Sequence, residues 1–262
     1  MIRRVSSRFY LGLMFVFLYA PIVALIVFSF NDSKSRAKWE GFTLKWYQSM
    51  FNDPMIVKAL YYTVTIAILA AVISTIVGTI AAIGIHGMRR WTKGLIMNIT
   101  YIPVLNPDIV TGIVLMLLFI LFRMRLGFMT LLLAHITFCI PYVIITVLPK
   151  LRQLNPHTFE AAIDLGASPM EAIWKVIVPE IMPGIITGFL LAFTLSIDDF
   201  VISYFTTGNG VTNLSITIFT MTKRGIKPEI NAISTLMFVT VLLLLLIVNK
   251  RSEAQQEKNN SN

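Results

Sequence analysis

The sequence predicts an all-α integral membrane protein with six transmembrane helices. Three observations carry that expectation. Only 13% of the 262 residues are charged and 56% are hydrophobic, with a mean hydropathy of +0.76; an average soluble domain carries roughly 25% charged residues. The apolar residues fall in long runs of about 20 or more, enough to cross a hydrocarbon layer about 30 Å thick. The basic residues fall in short clusters between those runs, as juxtamembrane flanks do. A soluble enzyme and a nucleic-acid module are thereby excluded. The net charge of +9 is of a size that nucleic-acid binders carry, but its distribution is that of membrane flanks. Membrane lipid is an expected partner and nucleic acid is not.

The first run, Tyr10 to Phe30, follows Arg3, Arg4 and Arg8. Such a start also suits a signal peptide. The run exceeds twenty residues, however, and no small-x-small site follows it, so it reads as a retained anchor. The outer segment up to Lys58 mixes charges with Trp39, Phe42, Trp46, Tyr47 and Phe51, a composition suited to a membrane interface. Residues 1–58 thus form an anchor helix plus an amphipathic segment. The membrane core, 59–249, holds the other five runs. They are Ala59–Ile85; Gly94–Phe122, interrupted by Pro103 and Asn106-Pro107-Asp108; Phe128–Leu148; Pro183–Phe205, containing Asp198 and Asp199; and Ala232–Val248. Helices are expected because lipid offers no partner to an unpaired backbone group. The polar stretch 250–262 reads as a disordered cytoplasmic tail.

Two runs carry small residues every four positions: Ala70, Ser74, Gly78 and Ala82, then Gly184, Gly188, Ala192 and Ser196. Residues four apart share a helix face, and small ones let helix backbones approach closely. The single cysteine, Cys139, cannot form an internal disulfide, and His86, His135 and His157 lack ligand spacing. No metal or other cofactor is expected, and His135 reads as a satisfied buried histidine rather than a proton relay.

Between the fourth and fifth runs, residues 149–180 form a loop with clear local chemistry. Asn155 can cap a helix whose first residue is Pro156. That helix ends at Gly166, suited to a left-handed cap. Ser168 then caps a second helix, with Pro169 first in it and Glu171 closing a capping box. The expectation is two short helices with a sharp bend, outside the bilayer.

Glu160-Ala161-Ala162, three residues, Gly166, nine residues, then Val176-Ile177-Val178-Pro179 resembles the EAA loop of ABC-importer permeases. Val176 and Val178 stand where the pattern has Ile and Leu. The resemblance implies a MetI-like ABC importer permease fold with this loop, and hence both termini, on the cytoplasmic side. It also implies that Glu160, Ala161, Ala162, Asp164, Gly166 and Pro179 couple to a homodimeric cytoplasmic ATPase. Charge alone does not orient the chain, because Lys and Arg divide twelve to ten between the two sides. The segments Trp39–Tyr47, Asn106–Val110, Leu195–Phe200 and Lys227–Ala232 resemble the permeases of spermidine/putrescine importers. That narrower resemblance implies a second, related permease subunit as heterodimer partner and an extracytoplasmic polyamine-binding protein.

The residues themselves favour a cationic cargo. Carboxylates inside a membrane are costly and usually face a pathway or a partner. At 1.5 Å per residue, Asp108 stands roughly 21 Å above Gly94, and Asp198 roughly 22 Å above Pro183. The two are thus at similar depth, and Tyr204 can pack against ammonium groups or methylenes. Asp108 also suits the first turn of a restarted helix. On a regular helix Asp198 and Asp199 point about 100° apart; Asp199 lies near the small-residue face and Asp198 away from it. Asp108, Asp198, Asp199 and Tyr204 are therefore the candidate pathway residues, with the facing argument favouring Asp198 for the pathway and Asp199 for a structural role. The sequence predicts a permease subunit without its own ATP chemistry, since no phosphate loop of the GxxxxGK[ST] type is present. A permease for another small solute or ferric ion, and an autonomous cation channel or secondary carrier, remain open alternatives.

Overall fold

The computed structural model describes residues 2–33, 38–155, 157–223 and 228–260, with backbone alone for 2–9, 244–245 and 247–260. The regular structure among the described residues is helical apart from one isolated bridge, Asn31 to Phe42. The helices are α1 (Ile2–Ser29), α2 (Lys45–Asn52), α3 (Pro54–His86), α4 (Arg90–Leu105), α5 (Asp108–Leu121), α6 (Phe128–Gln153), α7 (Thr158–Asp164), α8 (Pro169–Ala172), α9 (Val178–Asp198), α10 (Val201–Thr206), α11 (Leu214–Lys223) and α12 (Pro228–Asn260). A π-helical turn, Ile173–Ile177, joins α8 to α9.

Four stretches are long and apolar enough to cross a membrane: Tyr10–Ser29, Pro54–His86, Phe128–Gln153 and Pro169–Asp198. A fifth arises if α4 and α5 count as one span, but they meet at a bend of 105°. The described apolar part of α12, Pro228–Leu243, is shorter. Two runs are broken. The run 94–122, expected to be interrupted at Asn106-Pro107-Asp108, is two helices. Pro107 brings no amide hydrogen and pushes Asn106 into an extended conformation. The run 183–205 ends as a helix at Asp198, and α10 starts afresh. Residues 250–260 continue α12; their Glu, Ala, Gln and Lys are good helix formers.

The chain forms two compact units, 1–59 with 217–242 and 60–216 with 243–262. In the first, Asn31 organises the turn after α1. Its side-chain nitrogen donates to the Lys38 carbonyl at 2.8 Å, and its oxygen accepts from Glu40 N at 3.0 Å. Trp46 Nε1 donates to the Asn31 carbonyl at 2.7 Å. Lys45 pairs with Asp32.

In the second unit α6 lies between α3 and α9, and both small-residue stripes face it. A Cβ at Gly78 would stand 2.7 Å from Val143 Cβ; one at Gly188 would stand 2.7 Å from Thr146 Oγ1 and 3.4 Å from Val143 Cα. Ala70, Ser74, Ala82, Gly184, Gly188, Ala192 and Ser196 are all buried. Val143, Val147 and Leu151 of α6 fill the centre with Ile177 and Ile181. The small size of the stripe residues is what lets these backbones approach.

Candidate functional site

The first candidate is the hairpin between α6 and α9. Asn155 Oδ1 accepts from His157 N at 3.0 Å, and α7 begins at Thr158 with no side-chain cap. Asn155 therefore makes a turn rather than the expected helix cap. Pro156, expected as the first helical residue, lies outside the described residues. The C-terminal end of α7 follows the sequence closely. Gly166 sits at φ +91, Gly166 N donates to the Ile163 carbonyl at 2.9 Å and Ala167 N to the Ala162 carbonyl at 3.1 Å. Both bonds of a Schellman motif are thus present. Ser168 and Glu171 close the capping box, Glu171 N to Ser168 Oγ at 3.3 Å and Ser168 N to Glu171 Oε2 at 3.1 Å. Lys175 Nζ donates to Glu171 Oε1 at 3.0 Å.

The second helix is not short, which corrects the sequence expectation. From Pro169 it runs through the π turn into α9. Pro179 supplies the reason. It has no amide hydrogen and its ring crowds the carbonyl four residues back; the wider turn, closed by Val178 N to the Ile173 carbonyl, takes up the mismatch. Ala162 is buried, whereas Glu160, Ala161, Asp164, Gly166 and Pro179 are exposed. Leu165 is 90% exposed, with Met170 and Trp174 also largely open. A short helix closed at its C-terminal end thus presents acidic and small residues beside bare apolar ones.

The second candidate surrounds the break between α9 and α10. Asp198, the last residue of α9, is exposed. Asp199 turns inward, its side chain only 7% exposed. Its Oδ1 accepts from Ile202 N at 3.2 Å and its Oδ2 from Ser203 N at 2.7 Å, so it caps α10. Asn213 Nδ2 donates to the Asp199 carbonyl at 3.0 Å and to Ser203 Oγ at 2.7 Å, while Asn213 Oδ1 accepts from Ile216 N. His135 of α6 is buried with both ring nitrogens engaged, Nδ1 with Ser196 Oγ at 2.6 Å and Nε2 with Ser203 Oγ at 2.9 Å. Nε2 also lies 3.5 Å from Asp199 Oδ2. A buried carboxylate is tolerable only when it is hydrogen-bonded, and Asp199 accepts two amide hydrogens.

Tyr204 is about half exposed and packs on Phe200, ring centroids 5.5 Å apart. Asp108, first residue of α5, is exposed. The pairing of α5 with α10 is close at Gly112, whose Cβ would stand 3.1 Å from the Phe205 ring. The fold thus brings the helix that carries Asp108 onto the helix that carries Tyr204. Ser203 and Asn213 were not singled out by sequence reasoning. The signal was there in the form of polar residues in apolar surroundings, with Asp199 placed to cap a new helix start. No cluster of His, Cys, Asp and Glu able to hold a metal occurs among the described residues.

Residues 74–251 match a model of the family described as binding-protein-dependent transport system inner membrane component. The chain is 40% identical over 241 residues to the spermidine/putrescine transport system permease protein PotC of Haemophilus influenzae, covering 90% of this chain and 94% of that one. It is 41% identical over 235 residues to the putrescine transport system permease protein PotI of Escherichia coli, covering 87% and 83%. Among solved structures it resembles a chain of a bacterial ABC transporter that imports alginate, with a TM-score of 0.73 at 16% identity and 95% of both chains covered. That likeness speaks for the fold alone. The match to the family model takes in the capped hairpin and the α9–α10 break together, and the chain belongs to the inner-membrane components of binding-protein-dependent transport systems.

Proposed function

We propose that this chain is the transmembrane permease subunit of an ATP-driven importer of polyamines, spermidine and/or putrescine. The observation that carries the cargo is the 40–41% identity to polyamine permeases over most of both chains. The exposed carboxylates of Asp108 and Asp198 suit the chemistry, because ammonium groups favour carboxylates that apolar surroundings make costly to leave alone. Tyr204 offers a ring face to the same cation.

The mechanism is alternating access with both termini cytoplasmic. An extracytoplasmic polyamine-binding protein delivers the cargo. A homodimeric cytoplasmic ATPase receives the hairpin through Glu160, Ala161, Ala162, Asp164 and Gly166, and Pro179, in the first turn of α9, lies on the helix that carries its movement into the membrane. The pathway lies between this chain and a second, related permease, with Asp108, Asp198 and Tyr204 along it and Asp199 behind it as support. Like its relatives, this chain is a transporter subunit and not an enzyme.

The test is ATP hydrolysis and uptake by the purified complex in liposomes. Stimulation by spermidine- or putrescine-loaded binding protein is expected. Stimulation by another solute, ferric ion included, but not by polyamine would sink the cargo assignment. Uptake by this chain alone, without the ATPase, would mark an autonomous channel or carrier instead.

A further inference from the structure

Neither glycine nor proline lies between Ser196 and Ser203, yet the helix stops at Asp198 and restarts at Val201. An apolar stretch of this kind would ordinarily continue as helix in lipid, since a break frees backbone groups that lipid cannot satisfy. Something must hold the break open, and the side chains around it do. Asp199 caps the restarted helix, and Asn213 takes the freed Asp199 carbonyl. The remaining tie comes from another helix: His135 bridges Ser196, before the break, to Ser203, after it.

Length decides what that bridge means. On an unbroken helix Ser196 and Ser203 would be separated by about 10.5 Å along the axis. Two hydrogen bonds of 2.6 and 2.9 Å across one five-membered ring hold the two hydroxyls closer together than that spacing. The imidazole therefore ties the two sides of the break in the form observed. The carboxylate of Asp199 beside Nε2 favours the tautomer with its proton there, leaving Nδ1 to accept from the Ser196 hydroxyl. His135 is itself buried and is not at the surface that exposes Asp198.

We infer that His135 is a positioning residue for cargo recognition: by holding Ser196 and Ser203 together it fixes the broken form in which Asp198 is presented and Asp199 withdrawn. This rests on the reading of Asp198 as a pathway residue. In the continuous form the two carboxylates would share one helix about 100° apart, and the presented charge would swing with the backbone. His135 sets the affinity for cargo without touching it.

The experiment uses the whole reconstituted importer carrying Asp198→Cys, labelled by a membrane-impermeant maleimide; Cys139 is buried. Rapid labelling is expected, slowed at least fivefold when His135→Ala is added and restored by His135→Gln, which can serve both hydroxyls. In the complex without the cysteine, His135→Ala should raise the half-saturating spermidine concentration about tenfold while basal ATP hydrolysis stays. Ser203→Ala, which removes one end of the bridge, should act in the same direction and serves where His135→Ala does not assemble. Unchanged labelling and half-saturation in an assembled variant overturn the positioning role but leave the pathway reading intact. A site at 198 that does not label even with His135 present overturns the pathway reading, and the positioning role with it.

Discussion

Asp198 and Asp199 are neighbours of identical chemistry in opposite environments. Asp199 accepts two amide hydrogens and faces His135; Asp198 has an open carboxylate. Asp199→Ala leaves two amides of α10 unpaired, and the loss of a cap costs about 1–2 kcal/mol. We expect a lower thermal midpoint and less assembled complex, measured in detergent. Asp198→Asn removes no contact that the fold uses, so stability should stay within about 0.5 kcal/mol. Hydrogen bonds to charged groups contribute about 1.5–3 kcal/mol, so its half-saturating polyamine concentration should rise about tenfold in initial-rate uptake. Equal effects of the two on uptake, with stability unchanged in both, would reverse the assignment of roles. Part of this contrast was legible in the sequence, because Asp199 follows Ser196 by three and so shares the small-residue face. The break was only half legible: Asp199 is placed to cap a restarted helix, but the partners that hold the break, His135 and Asn213, are remote in sequence. Gly208 was silent: a Cβ there would stand 1.9 Å from the Leu126 carbonyl oxygen, a constraint written only in the packing.

At the scale of elements, local rules reached furthest where the chain turns on its own residues. The Schellman end at Gly166 and the capping box of Ser168 and Glu171 are short-range and were readable from sequence. The start of α7 was not, because Asn155 spends its side chain on a turn. Gly166→Ala meets no neighbour within 4 Å, so its cost is the left-handed backbone alone, about 1–2 kcal/mol. Gly166→Pro is more severe: it fixes φ near −65° and removes the donor to the Ile163 carbonyl. Both variants should insert and assemble, with uptake per ATP hydrolysed falling modestly for alanine and severely for proline. An unchanged ratio for proline would reduce the hairpin to a connector. The small-residue stripes were also legible, since period four is written in sequence; that both lie against α6 was not. Gly188→Val should force α6 and α9 apart at Thr146 and Val143, costing about 1–3 kcal/mol as overpacking does. The check is the thermal midpoint of the complex, and an unchanged value would mean that the helices have room to spare.

For the whole molecule, composition decided the class and little else. A chain 13% charged and 56% hydrophobic belongs in lipid, but its basic residues divide almost evenly and do not orient it. The path of the chain was less legible than the runs suggested, because the prolines near 105 bend one run by 105° and a polar network ends another at Asp198. The straight-rod depths assigned to Asp108 and Asp198 presuppose unbroken spans; each residue instead stands at a corner. Orientation therefore has to be measured directly. On the proposed reading the hairpin that would meet an ATPase is cytoplasmic and the segment rich in Trp39, Phe42 and Trp46 lies outside. Ser168→Cys would disturb the capping box, so Ala167→Cys is the better reporter for the hairpin and Lys38→Cys for the outer segment, both exposed or partly so. With an impermeant thiol reagent, Lys38→Cys should label in right-side-out vesicles and Ala167→Cys only in inside-out ones. The opposite pattern would place the hairpin outside. Labelling of both from one side would mean that the bent α4–α5 pair enters and leaves the same face, changing the parity of the crossings that separate the two reporters.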